Sequence, residues 1–107
     1  MDQYDYAQVK THLRGGVYFW CTDTKQINKL MAQIKEIIPS AYFDLKSKLP
    51  IGEAYSFEIK GLGGKDWDVK WWIIKLMCQD SWEPIGVEAV PGRTDYDIHQ
   101  FKRKTIS

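Results

Sequence analysis

The stretch Val17–Ile38, VYFWCTDTKQINKLMAQIKEII, contains the change of hydrophobic period on which the fold turns. Its first six residues, Val17 to Thr22, are aromatic and β-branched and follow Gly15-Gly16, the pattern of a strand bounded by turn residues. In that strand Val17, Phe19 and Cys21 share one face and Tyr18, Trp20 and Thr22 the other. Asp23 stands three residues before Gln26, the capping-box spacing that opens a helix. Ile27, Leu30, Met31, Ile34, Ile37 and Ile38 then recur at i, i+3, i+4, i+7, i+10 and i+11. They form an apolar stripe opposite a solvated face of Lys25, Asn28, Lys29, Gln33, Lys35 and Glu36. Pro39 lacks the N–H that would continue the helix and stops it.

Downstream, Ala41–Lys46 and Ala54–Lys60 read as extended, joined across Lys48-Leu49-Pro50-Ile51-Gly52. In the second, Tyr55, Phe57 and Ile59 alternate with Ser56, Glu58 and Lys60, a half-buried strand with one wet face. Gly61-Leu62-Gly63-Gly64 leads to Asp66, which caps a second helix of about Trp67 to Asp80. Its inward stripe is Val69, Trp72, Ile73, Leu76 and Met77. Trp82–Val90 and Asp97–Lys104 are two closing strands, separated by the turn sequence Pro91-Gly92-Arg93-Thr94. Upstream, residues 1–16 read as an N-terminal arm, in which Tyr6, Val9 and Leu13 make a weak amphipathic turn ending at Arg14-Gly15-Gly16. The order β-α-β-β-α-β-β over residues 17–107 predicts a single α+β domain. Its expected form is a two-layer, ferredoxin-like sandwich with both helices on one face of an antiparallel sheet. No internal repeat of fixed period is evident, although the Gly-rich linker joins two halves that each combine a helix with strands.

The residues WWIIKLMCQDSWEPIGVEAV from Trp71 onward, with DIHQFKRKTI near the end, resemble a small bacterial domain family of uncharacterised function. In that family a helix ends in Gly-Trp-Glu, and a strand, a turn and a final strand closing on Phe-Lys-Arg follow. Trp82, Glu83, Ile85 and Val87 match the first part, and Phe101, Lys102 and Arg103 the last. Ser81 stands where the family has Gly, the residue that supplies a left-handed helix cap. The resemblance implies a small helix-on-sheet module. It brings no activity and no catalytic residues.

Composition narrows function by exclusion. At 107 residues, with 44% hydrophobic and 14% aromatic side chains, the chain fills one core and leaves no room for a large multi-domain enzyme. Fifteen basic against 14 acidic residues lack the basic excess of a dedicated nucleic-acid coat. Met1–Arg14 holds no apolar signal region, and apolar runs such as Trp71 to Ile74 are far short of the ~20 residues of a membrane span. A cytoplasmic location follows as the expectation. Cys21 and Cys78 belong to no metal-ligand spacing and read as buried free thiols. His12 and His99 read as unrelated surface histidines, and Asp95-Tyr96-Asp97 as an ordinary turn. The loop Gly61–Asp66 satisfies neither Gly-rich phosphate motif, and Asp66 and Asp68 in the helix's first turn already complement its dipole. No catalytic residue, cofactor or metal site is therefore expected.

The aromatic residues carry the remaining signal. With the helices covering the Val17/Phe19/Cys21 face, Tyr18 and Trp20 lie on the open face beside Ser56, Glu58 and Lys60. On the second helix Trp71, Ile74 and Cys78 fall opposite the inward stripe, so that helix is apolar on both sides. Either the N-terminal arm covers the second side or another protein does, a separate partner or a copy of the chain. These residues point to a non-enzymatic protein-interaction or regulatory module. The alternative is a single-stranded nucleic-acid-binding domain in which Tyr18 and Trp20 stack on bases and Lys60, Lys102, Arg103 and Lys104 contact phosphates.

Overall fold

A computed structural model describes residues 3–12, 16–48, 55–89 and 96–105. Its elements are β1 (Tyr4–His12), β2 (Val17–Cys21), α1 (Thr24–Ile37), β3 (Tyr42–Lys48), β4 (Tyr55–Lys60), α2 (Asp66–Gln79), β5 (Glu83–Ala89) and β6 (Tyr96–Lys104). The six strands form one sheet in the order β3-β4-β2-β1-β6-β5, every neighbouring pair antiparallel. The β1–β2 hairpin is central. One helix-hairpin unit, α1-β3-β4, joins the sheet through β2, and the other, α2-β5-β6, through β1. Gly61–Gly64 connects the two units, as the division of the chain into halves suggested.

The α+β class and the antiparallel sheet agree with the sequence reading, but the ferredoxin-like order counted five strands and the sheet has six. The additional strand is β1. Residues 1–16 were expected as a weakly helical arm outside the domain, whereas Tyr4–His12 runs through the middle of the sheet, paired with β2 from Ala7↔Cys21 to Thr11↔Val17. Its inward set is Ala7, Val9 and Thr11, all buried. Two of these three are an Ala and a Thr, so the period of two is faint in the sequence. The helical spacing of Tyr6, Val9 and Leu13 is a coincidence. Leu13, the turn sequences at 49–54 and 90–95, and Arg14-Gly15 lie outside the described residues.

Alternate residues of the strands meet both helices in one core. Val9, Val17, Phe19, Cys21, Phe57, Ile59 and Phe101 pack with Ile27, Leu30 and Ile34 of α1 and Val69, Ile73 and Met77 of α2. Both helices therefore lie on the same face. Phe57 sits between Phe19 and Phe43, with ring centroids 5.6 and 5.3 Å away, favourable aromatic geometries. On α1 the expected stripe is shifted: Ile37 is exposed, and Gln26 is buried in its stead.

Polar contacts position three of the helix ends. Asp23 accepts the Lys25 N–H at 3.0 Å, while Gln26 turns inward rather than completing a capping box. Asp66 is the first residue of α2 rather than its cap, and its carboxylate accepts the Gly16 N–H at 2.7 Å, tying the start of β2 to the start of α2. At the end of α2, Ser81 takes the left-handed conformation, φ 69°. The Trp82 N–H bonds the Met77 carbonyl at 3.0 Å and the Ser81 N–H the Cys78 carbonyl at 3.2 Å. This pair is the Schellman cap that Gly most often makes, formed here by a serine. A Cβ in that region costs roughly 1–2 kcal/mol, partly returned by the greater freedom of Gly in the unfolded chain. Ser81→Gly is therefore expected to raise stability by about 1 kcal/mol, read as a melting temperature higher by about 4 °C; an unchanged or lower melting temperature would contradict this account of the cap.

Gly61 has no alternative. It adopts φ 76°, and a Cβ there would run into the Ser40 carbonyl oxygen, whose own hydroxyl donates to the Gly61 carbonyl at 2.8 Å. The end of β4 can thus approach the turn after α1 only as glycine.

Candidate functional site

Among the described residues no helix or strand packs on the face of the sheet away from α1 and α2. The register places Trp20 between Gln8 of β1 and Ser56 of β4, and Tyr18 between Lys10 and Glu58. This is the neighbourhood expected for Tyr18 and Trp20. β1 adds Tyr4 and Tyr6, both substantially exposed. Around the two β2 rings the face forms a hollow of about 410 Å³ lined by Gln8, Lys10, Tyr18, Phe19, Trp20 and Ser56. The Lys10 ammonium stands 5.6 Å from the Tyr18 ring centre, and that of Lys102 lies 5.1 Å from Tyr4. Such distances fit cation–π attraction. Lys60 lies 3.5 Å from the Asp44 carboxylate.

Of the four basic residues expected to contact nucleic acid, Lys60, Lys102 and Lys104 occupy this face. Arg103 does not. One residue out of phase, it points between the helices, where its Nη2 donates to Asp23 at 2.8 Å and its Nη1 to Gln26 Oε1 at 3.2 Å and the Asp80 carbonyl at 3.1 Å. The guanidinium lies 4.5 Å from the Trp82 ring centre, and the Trp82 indole N–H donates to the same Gln26 oxygen at 3.2 Å. Arg103 and Trp82, two residues on which the family resemblance rests, thus join the start of α1, the end of α2 and β6. They serve the fold. Asp80 belongs to the same cluster: burial alone would raise its carboxyl pKa, but hydrogen bonds from Lys29 and Gln26 and the charges of Lys29 and Arg103 outweigh that effect and hold it below its ordinary value.

The second surface is the outer ridge of α2. Trp67 and Trp71, one turn apart, are 41% and 57% exposed, and Cys78 is exposed farther along. Ile74, expected beside them, is half-buried against the core. Because residues 4–12 lie within the sheet, they do not fold over this ridge. Between the two indoles lies Lys70, expected as part of a polar flank yet only 1% exposed. Its ammonium is 3.8 Å from the Trp67 ring centre, 4.6 Å from that of Trp71 and 2.9 Å from the Asp97 carboxylate. His99 meets Trp71 edge to face at 5.4 Å and places Nε2 3.6 Å from Asp97. Thr11 Oγ1, Asp97 Oδ1 and His99 Nε2 are buried here without a hydrogen-bond partner. His99 and Asp97, read as a surface histidine and a turn carboxylate, instead support the ridge from below. Their placement depends on β6 lying under α2, which no local spacing announces.

The two thiols differ. Cys21 is buried, which pushes its pKa up to about 12 against the opposing effect of the Asp23 N–H that bonds its sulfur at 3.3 Å. Cys78 was expected to be buried too and is exposed instead. In the folded protein a chromogenic disulfide reagent is expected to label one thiol promptly, Cys78, and the second only after denaturant is added; two equal fast phases would contradict this placement.

Among the described residues no group of three or more His, Cys, Asp and Glu side chains is placed to hold a metal ion, and no helix is long and apolar enough to cross a membrane. Comparison with the models of known protein families, with curated proteins and with solved structures found no match to this chain.

Proposed function

We propose that this chain is a non-enzymatic protein-interaction or regulatory module that meets a protein partner, or a second copy of itself, through its aromatic surface. The observation that carries this reading is the pair Trp67 and Trp71, two exposed indoles held in place by one buried ammonium. Exposed Trp residues dominate binding energy where they are rigid before the partner arrives, since little side-chain freedom is then lost. The free Cys21 and Cys78 fit a reducing, cytoplasmic setting for such a module. Trp67→Ser with Trp71→Ser is expected to leave the circular dichroism spectrum intact. Light scattering across a concentration series would then lose any self-association seen for the unaltered chain, and pull-downs from the native host would lose specific polypeptides. Identical masses and identical captured proteins for the two forms would refute the ridge as an interface.

A second reading, single-stranded nucleic-acid binding, is favoured by one observation: Lys10 and Lys102 lie over Tyr18 and Tyr4 on the open face. It requires tryptophan quenching by an oligonucleotide that weakens as salt rises; no quenching at low salt excludes it.

A further inference from the structure

We propose that the open face carries a binding site for an uncharged, planar two-ring nitrogen heterocycle of the aminopurine kind, a function beyond the interface formed by the ridge of α2. Its centre is the hollow over Trp20, whose volume of about 410 Å³ lies in the range of small-molecule sites. The strand register lays one row of residues across the face there. Ser56 of β4, Trp20 of β2, Gln8 of β1, Gln100 of β6 and Gly86 of β5 are successive cross-strand partners. The row thus runs from an indole to two carboxamides and on to a glycine at which even a Cβ would meet nothing within 4 Å.

The chemistry of the ligand follows from what the row offers. Trp20 presents an aromatic surface on which a planar heterocycle stacks. Lys10, Tyr18 and Ser56 of the lining already interact with other groups of the protein, as does Glu58 beside them, which also lies 4.0 Å from the Lys60 ammonium. With those groups engaged, a charged ligand would surrender its hydration without gaining a partner, whereas a neutral one loses little. The remaining polar side chain of the lining is Gln8. Its carboxamide places an acceptor and a donor side by side, the pattern that makes two parallel hydrogen bonds to the amino group and ring nitrogen on one edge of an aminopurine. Gln8 is one strand spacing, about 4.8 Å, from Trp20, so a ring system stacked on the indole meets the amide with its edge. Gln100 and the open position at Gly86 continue the row and leave room for a hydroxyl-bearing substituent such as a ribose.

The test is a two-dimensional NMR titration of the intact chain with adenosine, compared with purine riboside, which lacks the amino group, and with adenosine 5′-monophosphate, which adds charge. Saturable shifts centred on the Trp20 indole N–H and the Gln8 side-chain amide are expected with adenosine. Purine riboside should bind about tenfold more weakly, the effect of one lost two-point contact, and the monophosphate no more tightly than adenosine. Gln8→Leu is expected to lower adenosine to the affinity of purine riboside while leaving the latter unchanged. Trp20→Ala is expected to abolish binding of both, and if that variant unfolds, Gln8→Leu alone decides. No saturable shift at Trp20, shifts at Trp67 and Trp71 instead, equal affinity for adenosine and purine riboside, or tighter binding of the monophosphate would overturn the proposal. An oligothymidine that shifts the Trp20 and Gln8 resonances where adenosine does not would also overturn it, in favour of nucleic acid. The ridge of α2 is tested by its own variants, so failure here and failure there are distinguishable.

Discussion

Replacing Lys70 with alanine is expected to lower the stability of the chain by about 3 kcal/mol, the low end of what removing one partner of a buried ion pair costs. The ammonium is enclosed by Trp67, Trp71 and Asp97, so its loss removes the cation beneath two rings, opens a cavity and strips the carboxylate of its counter-charge. Asp97 retains some contact with water, its side chain 27% exposed, which keeps the effect from the upper end of the range. Lys70→Met retains most of the packed stem and should recover about half of the loss. In an Asp97→Asn background the same Lys70→Met change should cost less than it does alone, because the charge it abandons is gone. Urea unfolding of the four chains completes the cycle. A Lys70→Ala loss below about 1 kcal/mol, or additive losses throughout, would show that Lys70 is merely covered and supports neither ring. Lys70→Met also bears on function, since a folded chain with unsupported indoles should bind less well than the unaltered one.

Arg103→Ala should cost about as much, ~3 kcal/mol. One guanidinium satisfies Asp23, Gln26 and the Asp80 carbonyl at the ends of two helices and stacks on Trp82. Arg103→Lys should recover little of this, because an ammonium cannot reproduce the planar fork or the stacking. The variant should also shift the acid limb. The folded-state pKa of Asp80 is lowered, so this group contributes stability that is complete above its unfolded pKa and is lost as pH falls below about 4. Removing Arg103 removes part of that lowering. Acid unfolding of Arg103→Ala should therefore begin at higher pH than in the unaltered chain. An unchanged acid midpoint together with full rescue by Lys would assign Arg103 to simple surface charge.

Much of the architecture is legible because it is encoded locally. The period-of-two strand at Val17–Cys21, the 3.6-period stripe through Leu30 and Ile34, and the alternation of Phe57 and Ile59 with Ser56, Glu58 and Lys60 each declare both an element and its buried face. The open-face position of Tyr18 and Trp20 follows from the same parity. β1 escaped because burial in a central strand depends on neighbours on both sides. Ala7 and Thr11 are small enough to lie under α2 yet carry little hydrophobic signal.

The charged residues mark the boundary. Local pattern assigns a lysine or an arginine to the wet side because a lone buried charge is prohibitively costly. Lys70 is buried and Arg103 largely withdrawn from solvent because Asp97, 27 residues away, and Asp23, 80 residues away, are brought to them by the sheet. The amino-acid sequence by itself determined the helices, most of the strands and which aromatic rings face away from the core, since these depend on contacts along a few residues of chain. Only the tertiary structure decided that the first segment completes the sheet, that Arg103 belongs to the interior and that Trp67 and Trp71 stand on a buried ammonium. Each of these depends on partners distant in sequence, whose proximity exists only once the strands have paired.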